Sequence, residues 1–289
     1  MRSALLIANP IAGRGAGERE LRRIEPSLRS RGIDLEVAVT SQAGDAQAAA
    51  ASRAEDHEAV LVIGGDGTLN EVVNGLEADR PVAIYPIGTG NVLAKELGLP
   101  RSIVRFCNMV QGGREHVVDI ATIGDRRFVS MAGAGFDADV AADMGAGRTA
   151  GIHMAAYIGR TLRHLARYDF PRISVAVDGG EPVDSAGFVL VSNVRSYGGP
   201  FVVTPDARHD DGLLDVCLLR RGTPLAYMAA MLAFILRCHR AARGARYLRG
   251  RSIRLSASTP VRYQVDGDAA GFLPATIEIL DRTLRFIVP

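Results

Sequence analysis

The feature that most constrains this chain is a glycine-rich turn that directly follows an apolar run. Residues 59–63, Ala-Val-Leu-Val-Ile, are typical of a buried parallel strand. The turn Gly64-Gly65-Asp66-Gly67 comes next, and apolar residues then follow at helical spacing through residue 76. Glycines let a backbone approach a ligand closely, and the free amides at a helix start attract an anion. The stretch therefore predicts a phosphate site, with Asp66 facing the phosphate across a magnesium ion or a hydroxyl group.

The first hundred or so residues alternate between strand and helix patterns. Strands are expected at residues 3–8, 34–40, 59–63 and 81–86, and helices from about residue 18, at 43–55, from 69 to about 75 and at 93–97. This alternation predicts a parallel, doubly wound α/β sheet. Ligands of such sheets bind at the carboxyl ends of the strands, and the glycine turns at 9–15, 64–67 and 87–91 all fall there.

After about residue 115, regular crossover helices no longer separate the strand patterns, so the sequence predicts an antiparallel β-sandwich. Two helical segments, 151–168 and 225–243, interrupt it, and Asp178-Gly179-Gly180 predicts a hairpin turn. The strands expected in this part are 117–122, 127–132, 173–177, 188–192, 214–219, 252–255, 262–265, 276–280 and 283–288.

Length, charge and cysteine content exclude several protein classes. At 289 residues the chain is long for one core and suits two domains. A net charge of +2 argues against bulk binding of nucleic acid. The three scattered cysteines lack a CxxC pair and argue against a disulfide framework or a zinc site. The most apolar segment, 225–236, falls short of the roughly 20 residues that span a bilayer. A cytoplasmic protein without a transmembrane span is expected.

Two familiar nucleotide-binding motifs do not describe this sequence. A P-loop needs a lysine and a hydroxyl residue directly after its last glycine, and the only lysine, Lys95, is not so placed. Residues 133–138, Gly-Ala-Gly-Phe-Asp-Ala, match a loose dinucleotide fingerprint, but they lie outside the alternating part of the chain. We interpret them as a packing turn.

Five motifs carry a resemblance to one family. They are Asn-Pro-x-x-Gly at 9–13, Gly-Gly-Asp-Gly-Thr-Leu-Asn-Glu at 64–71, Pro-x-Gly-Thr-Gly-Asn at 86–91, Asp-Asp-Gly-Leu-Leu-Asp at 210–215 and Val-Asp-Gly-Asp at 265–268. In order and spacing the chain resembles the diacylglycerol kinase catalytic-domain family, in particular its soluble bacterial lipid kinases and the related sphingosine and ceramide kinases. The resemblance covers nearly the whole chain. The Gly-Gly-Asp-Gly-Thr core alone is shared with NAD kinases and phosphofructokinases.

The resemblance implies an ATP-dependent lipid kinase with two domains and an ATP site between them. The α/β ATP-binding domain, similar to NAD kinase and phosphofructokinase, would comprise residues 1–122, with the last strand, about 281–289, returning to it. The β-sandwich domain would comprise residues 123–280. The implied nucleotide contacts are Asn9, Pro10, Ile11, Ala12, Gly13, Thr40, Gly65, Asp66, Gly67, Thr68, Leu69, Asn70, Glu71 and Thr89.

The resemblance also implies a metal and a general base. Magnesium would be held by the Asp211 carboxylate and the carbonyls of Arg208 and Leu213. The bacterial members use the last acid of Asp-Gly-Glu as the base; Asp268, one methylene shorter, stands there in this chain, and Asp66 is the competing candidate. A kinase of a soluble acceptor such as NAD, and a binding regulator that has lost its base, are the alternatives.

Two arginine-bearing segments indicate contact with a membrane. Residues 151–168 carry three arginines and His164 close to one face, and residues 225–243 are apolar first and then basic. Basic residues beside apolar ones suit an anionic lipid surface, where a lipid kinase meets its substrate. The expected location is therefore the cytoplasm, with peripheral contact at the inner face of the plasma membrane. A domain-packing helix with a solvated basic end is the alternative, and a homodimer stays open.

Overall fold

The structure is a computed structural model that describes residues 1–145, 161, 163–198, 201–220, 222–239, 242 and 244–289. The chain forms two compact units. The N-terminal unit comprises Met1–Ile120 and Arg282–Pro289, and the C-terminal unit comprises Ala121–Asp281. Within the described residues, no helix combines the length and the hydropathy needed to cross a bilayer.

The N-terminal unit is built on a parallel sheet. Its strands are β1 (Ser3–Ala8), β2 (Asp34–Val39), β3 (Val60–Gly64) and β4 (Val82–Pro86), and they lie in the order β2-β1-β3-β4. Every residue of β3 and β4 is buried, which explains why these strands are continuous apolar runs in the sequence.

The helices of this unit are α1 (Ala12–Arg29), α2 (Asp45–Arg53) with a short 3-10 turn after it (Ala54–Asp56), α3 (Asp66–Gly75), α4 (Val92–Glu96) and α5 (Ile103–Gly112). Helix α1 contacts α5, and α2 contacts α3. Gly13, Arg14 and Gly15 have left-handed backbone angles at the start of α1. The expectation of a helix from about residue 18 therefore corresponds to its regular part.

The C-terminal unit is an antiparallel β-sandwich. The strands that follow β4 in the chain are β5 (Arg114–Ile123), β6 (Arg126–Phe128), β7 (Met131–Gly135), β8 (Arg172–Val177), β9 (Val183–Ala186), β10 (Phe188–Ser192), β11 (Ser196–Gly198), β12 (Phe201–Val202), β13 (Leu214–Leu219), β14 (Ala245–Gly250), β15 (Ser252–Ala257), β16 (Arg262–Val265), β17 (Asp268–Phe272) and β18 (Ala275–Val288). Strand β5 belongs to the N-terminal unit up to Ile120. One sheet of the sandwich has the order β14-β13-β10-β7-β16-β17, and in the other β18 pairs with β15, β15 with β8, and β8 with β9. Apolar residues of both sheets form one core, including Val189, Val216 and Val265 from the first and Val175 and Ile253 from the second.

The end of the long strand β18 belongs to the N-terminal unit, where Phe286 pairs in parallel with Val82 of β4. Two helices of the C-terminal unit are described in full along their backbones, α6 (Phe136–Gly145) and α7 (Pro224–Ile235). The predicted combination of a doubly wound α/β sheet with an antiparallel β-sandwich is thus confirmed, and so is the hairpin at Asp178, which joins β8 to β9.

Several element predictions are corrected. The expected strand 127–132 is broken at residues 129–130, and the two expected strands 276–280 and 283–288 are one continuous strand. Residues 133–138 are the end of β7 and the start of α6, not merely a packing turn. The second helix ends at Ile235 rather than near 243, and most of the expected helix 151–168 lies outside the described residues. Helix α5 was missed, although Phe106, Cys107 and Val110 are buried at helical spacing.

Candidate functional site

The glycine turns at 9–15, 64–67 and 87–91, which we call the first, second and third loops, meet at the carboxyl ends of β1, β3 and β4. The amide of Ile87 donates to the carbonyl of Gly64 over 2.9 Å, and the amide of Asn9 donates to the carbonyl of Ile63 over 3.0 Å. The second and third loops touch backbone to backbone. A methyl group on Gly65 would lie 3.0 Å from the Cα of Gly88, and one on Gly88 only 2.7 Å from the Cα of Gly65. Glycine is needed at both positions because of this close approach.

Asp66 joins the second loop to the third. Its Oδ2 accepts a hydrogen bond from the amide of Asn91 and its Oδ1 accepts one from the amide of Val92, each over 2.6 Å. Burial raises the pKa of Asp66, while the amides of Val92 and Asn91 and the charge of Lys95 counteract that rise. With both oxygens accepting amide hydrogens, the carboxylate organises the start of α4.

Asn9 joins the first loop to the second. Its Oδ1 accepts from the amides of Ile11 and Ala12, each over 3.2 Å, and its Nδ2 donates to the Thr68 hydroxyl over 3.2 Å. Gly13 then turns with φ +61, where a methyl group would lie 2.5 Å from the carbonyl oxygen of Ile87. The three loops thereby form one frame within the N-terminal unit.

The other predicted nucleotide contacts divide by exposure. Thr40 follows β2, is buried, and donates its amide to the carbonyl of Ala8 over 2.9 Å. Leu69 and Asn70 are buried in α3, so their side chains face the protein interior. The Glu71 carboxylate accepts from the Ala46 amide over 3.2 Å in the first turn of α2. The residues that remain exposed or partly exposed along the loops are Asn9, Pro10, Ile11, Ala12, Gly13, Gly65, Asp66, Gly67 and Thr89.

The start of α3 can attract an anion. The first amides of a helix have no acceptor inside the helix, and the helix dipole adds partial positive charge there. The N-cap residue is Gly65, which has no side chain to satisfy these amides, and the Asp66 carboxylate turns toward α4 instead. Phosphate oxygens are therefore suitable acceptors at this helix start.

In the C-terminal unit, Asp268 lies directly after a two-residue turn. Asp266 and Gly267 have φ +48 and +89, as a type I′ hairpin turn requires, and Val265 pairs with Asp268 across it. Met131 holds the turn with two hydrogen bonds made by its backbone. Its amide donates to Asp266 Oδ1 over 2.9 Å, and its carbonyl accepts from the Asp266 amide over 2.9 Å. The Asp268 carboxylate is partly exposed and lies 3.6 Å from the Arg126 guanidinium.

A buried carboxyl group, Asp137, lies behind this turn and was not identified from the sequence. Gln264 donates its Nε2 to Asp137 Oδ2 over 3.0 Å and accepts the amide of Gly267 on its Oε1 over 2.7 Å. The Tyr197 hydroxyl is 3.3 Å from the same Asp137 oxygen. Burial raises the pKa of Asp137 to about 7, and the two donors counteract it only in part. The only sequence signal was the glycine motif at 133–138, which does not indicate a buried acid.

The predicted magnesium ligands belong to the turn before β13. Asp211 Oδ1 accepts from the amide of Leu213 over 3.2 Å, and Gly212 has φ +70. Arg249 contacts Asp211 Oδ2, and its guanidinium also lies 3.3 Å from Asp215 Oδ2. Burial raises the pKa of Asp215, Arg249 lowers it, and the neighbouring acids Asp211 and Asp206 raise it again. Carboxylate and carbonyl oxygens are hard ligands, so this donor set fits Mg²⁺.

A cavity of about 670 Å³ lies in the C-terminal unit. It borders α6 at Asp139, whose carboxylate is 3.4 Å from the Arg262 guanidinium of β16. Burial raises the pKa of Asp139, while His164 and Arg262 lower it. The mixed charges of the lining suit a polar group rather than an acyl chain. The lining residues are Asp139, Asp143, Arg163, His164, Arg167, Tyr168, Asp169, Pro171, Thr259 and Pro260.

Comparison with known proteins places these features in a family. The diacylglycerol kinase catalytic domain matches residues 3–123, and the YegS C-terminal NAD kinase beta sandwich-like domain matches residues 130–288. The diacylglycerol kinase of Bacillus subtilis (strain 168) is 26% identical over 294 residues, which cover 100% of this chain and 97% of that protein.

Solved structures of similar fold support the same family. A crystal structure from Bacillus anthracis str. Sterne, of a protein provisionally assigned as a diacylglycerol kinase, has a TM-score of 0.82 at 25% identity and covers 100% of this chain and 95% of that one. An NAD kinase from Archaeoglobus fulgidus in complex with ATP shares the fold at 14% identity, with a TM-score of 0.55 and coverage of 99% and 93%. The chain therefore belongs to the diacylglycerol kinase catalytic-domain family and carries the YegS-type β-sandwich domain in its C-terminal part.

Proposed function

We propose that this protein is an ATP-dependent lipid kinase that transfers the γ-phosphate to a lipid hydroxyl. Diacylglycerol, which would give phosphatidic acid, is the acceptor that the names of its relatives support. The observation that carries the proposal is the frame of three loops tied together by Asp66, in the part of the chain that matches the catalytic-domain family. The protein would act in the cytoplasm, with peripheral contact at the membrane that holds its substrate.

In this proposal the N-terminal loops bind ATP. The amides at the start of α3 and the loop residues Asn9 to Gly13 would hold the phosphates and the rest of the nucleotide, with Thr40 and Thr89 as further contacts. Phosphoryl transfer needs positioning and charge stabilisation far more than covalent work. Magnesium, held by Asp211 and the carbonyls of Arg208 and Leu213, would offset the charge of the phosphates.

Asp268 is the general base in this proposal. The lipid hydroxyl oxygen bonds to the γ-phosphorus, its proton passes to the Asp268 carboxylate, and the bond to the β–γ bridging oxygen breaks to release ADP. Asp268 is partly exposed at the end of a hairpin, with Arg126 beside it. Asp66 is the organising residue rather than the base, because both of its oxygens already accept amide hydrogens.

The test measures ATP consumption with diacylglycerol in mixed micelles. Asp268→Asn should lower kcat by about 10²–10⁴, the usual contribution of a general base. Asp268→Glu should keep activity within about threefold, because it retains the carboxylate. Asp184→Asn, an exposed carboxylate on β9, is the matched control and should leave the rate unchanged. Asp66→Ala should weaken ATP binding, whereas Asp268→Asn should not.

Two results would contradict the proposal. Phosphorylation of NAD, without turnover of any lipid, would identify a kinase of a soluble acceptor, the alternative that the fold of the NAD kinase from Archaeoglobus fulgidus supports. ATP binding without turnover of either acceptor would identify a regulator that has lost its chemistry.

A further inference from the structure

Helix α7 carries an exposed apolar face. Leu225, Met228 and Leu232 lie along it, at 76%, 49% and 56% exposure, and Ile235 and Leu236 continue it at 40% and 61%. These five are nearly half of the eleven large hydrophobic side chains that are exposed in the described part of the chain. Exposed apolar residues that cluster on one surface indicate a binding surface rather than the usual scatter.

The opposite face of α7 fixes the orientation of the helix. Tyr227, Ala230 and Phe234 are buried, and the Tyr227 ring lies 4.9 Å from the Phe170 ring and 5.6 Å from the Phe136 ring, centroid to centroid. The exposed apolar side chains therefore do not take part in this packing, and they can be changed without opening the core.

Both ends of α7 are sharply defined. Thr223 caps the start, where its hydroxyl oxygen accepts from the Ala226 amide over 3.2 Å. At the other end Arg237 has φ +56, and the amide of Cys238 donates to the carbonyl of Ala233 over 2.8 Å. The helix ends at Ile235, the apolar face ends one residue later at Leu236, and Arg237 follows as an exposed arginine.

The sequence around α7 is strongly basic. Residues 216–265 contain ten arginines and no aspartate or glutamate, although the whole chain has a net charge of only +2. The helix itself has no charged residue, and the exposed residues Arg220, Arg237 and Arg246 lie close to it in the sequence. The apolar helix is therefore flanked by cations in the sequence.

We propose that this face of α7 is the membrane-docking surface of the protein, lying in the plane of an anionic bilayer with its apolar side chains among the acyl chains. An uncharged apolar helix face flanked by arginine is the composition that binds such an interface, and each arginine near anionic lipid adds attraction. A second copy is disfavoured as the occupant, because a symmetric contact would bring two arginine-rich, acid-free segments together. The inference rests on the proposed function in one respect: membrane docking would give the kinase access to its lipid substrate.

The test is sedimentation with vesicles in the absence of ATP. The full-length protein is mixed with vesicles of phosphatidylcholine alone, or of phosphatidylcholine with about 30% phosphatidylglycerol, enough to give an anionic surface. We expect binding that increases with phosphatidylglycerol. The double variant Met228→Gln, Leu232→Gln should bind these vesicles at least about tenfold more weakly than the wild type, because two inserted side chains become polar. Arg237→Gln should also weaken binding.

Helix α5 supplies matched controls, since Val104 and Arg105 are exposed there. Val104→Gln and Arg105→Gln should each bind within about twofold of the wild type, because neither adjoins α7 in the sequence. Three results would overturn the proposal: a wild type that ignores phosphatidylglycerol vesicles, a double variant that binds like the wild type, or a wild-type dimer that the double variant dissociates. Because the assay contains no ATP, these failures are distinct from failure of the kinase proposal, which mixed micelles test.

Discussion

We expect Asp137 to make the stability of the C-terminal unit depend on pH. The side chain is buried, and its Oδ1 has no hydrogen-bond partner among the described residues. Burial raises the pKa to about 7 from the ordinary 3.8. Between about pH 4 and 7 the folded protein therefore holds a proton that the unfolded chain has lost. A carboxyl group whose folded pKa is raised in this way favours the folded state at low pH, and stability falls as the pH rises through this range.

The size of the effect follows from the pKa shift. At about 1.4 kcal/mol per unit, a shift of roughly three units is worth about 4 kcal/mol, and about 3 kcal/mol of it falls between pH 4.5 and 8. Asp137→Asn keeps the shape of the side chain but cannot ionise. We expect the free energy of unfolding of the variant, relative to the wild type, to increase by about 3 kcal/mol over that range. The raised pKa values of Asp66, Asp139 and Asp215 affect both proteins and cancel.

Urea unfolding at a series of pH values, followed by far-ultraviolet circular dichroism, measures this difference. In thermal unfolding it corresponds to a change of roughly 6–12 °C in the relative Tm of the C-terminal unit. Asp143→Asn, an exposed acid on the same helix, is the control and should follow the wild type at every pH. Parallel curves for the wild type and Asp137→Asn would refute the reasoning, because they would mean that Asp137 is ionised in the folded protein down to its ordinary pKa.

Two further predictions concern close packing and thiol exposure. Gly88→Ala must separate the second and third loops, so we expect a loss of about 1–3 kcal/mol of stability and weaker ATP binding by calorimetry. Gly112→Ala, with open space around it, should be nearly neutral, and equal effects would contradict the packing argument. A thiol reagent should modify Cys238 in the native protein but Cys107 and Cys217 only after unfolding, because both are buried and burial raises the pKa of Cys217 to about 12. Rapid modification of all three cysteines in the native protein would contradict this prediction.

The strands of the N-terminal sheet were predictable because their signals are local. A parallel strand that is buried on both faces must be a continuous apolar run, and β1, β3 and β4 are such runs. The antiparallel half was less predictable, because short strands such as β11 and β12 have little pattern of their own. They exist through pairing with partners that the sequence does not name.

The sequence by itself determined the alternation of strands and helices, the positions of the glycine loops and the family resemblance, since all three depend on residue types at short spacing. Only the tertiary structure decided which groups these residues contact. The amides bound by Asp66 lie 25 and 26 residues along the chain, and Gln264 lies 127 residues from Asp137. Such partners meet because the packing of whole strands and helices brings them together, and no local pattern encodes that distance. Asp66 was thus identified from its turn, but its amide partners required the fold.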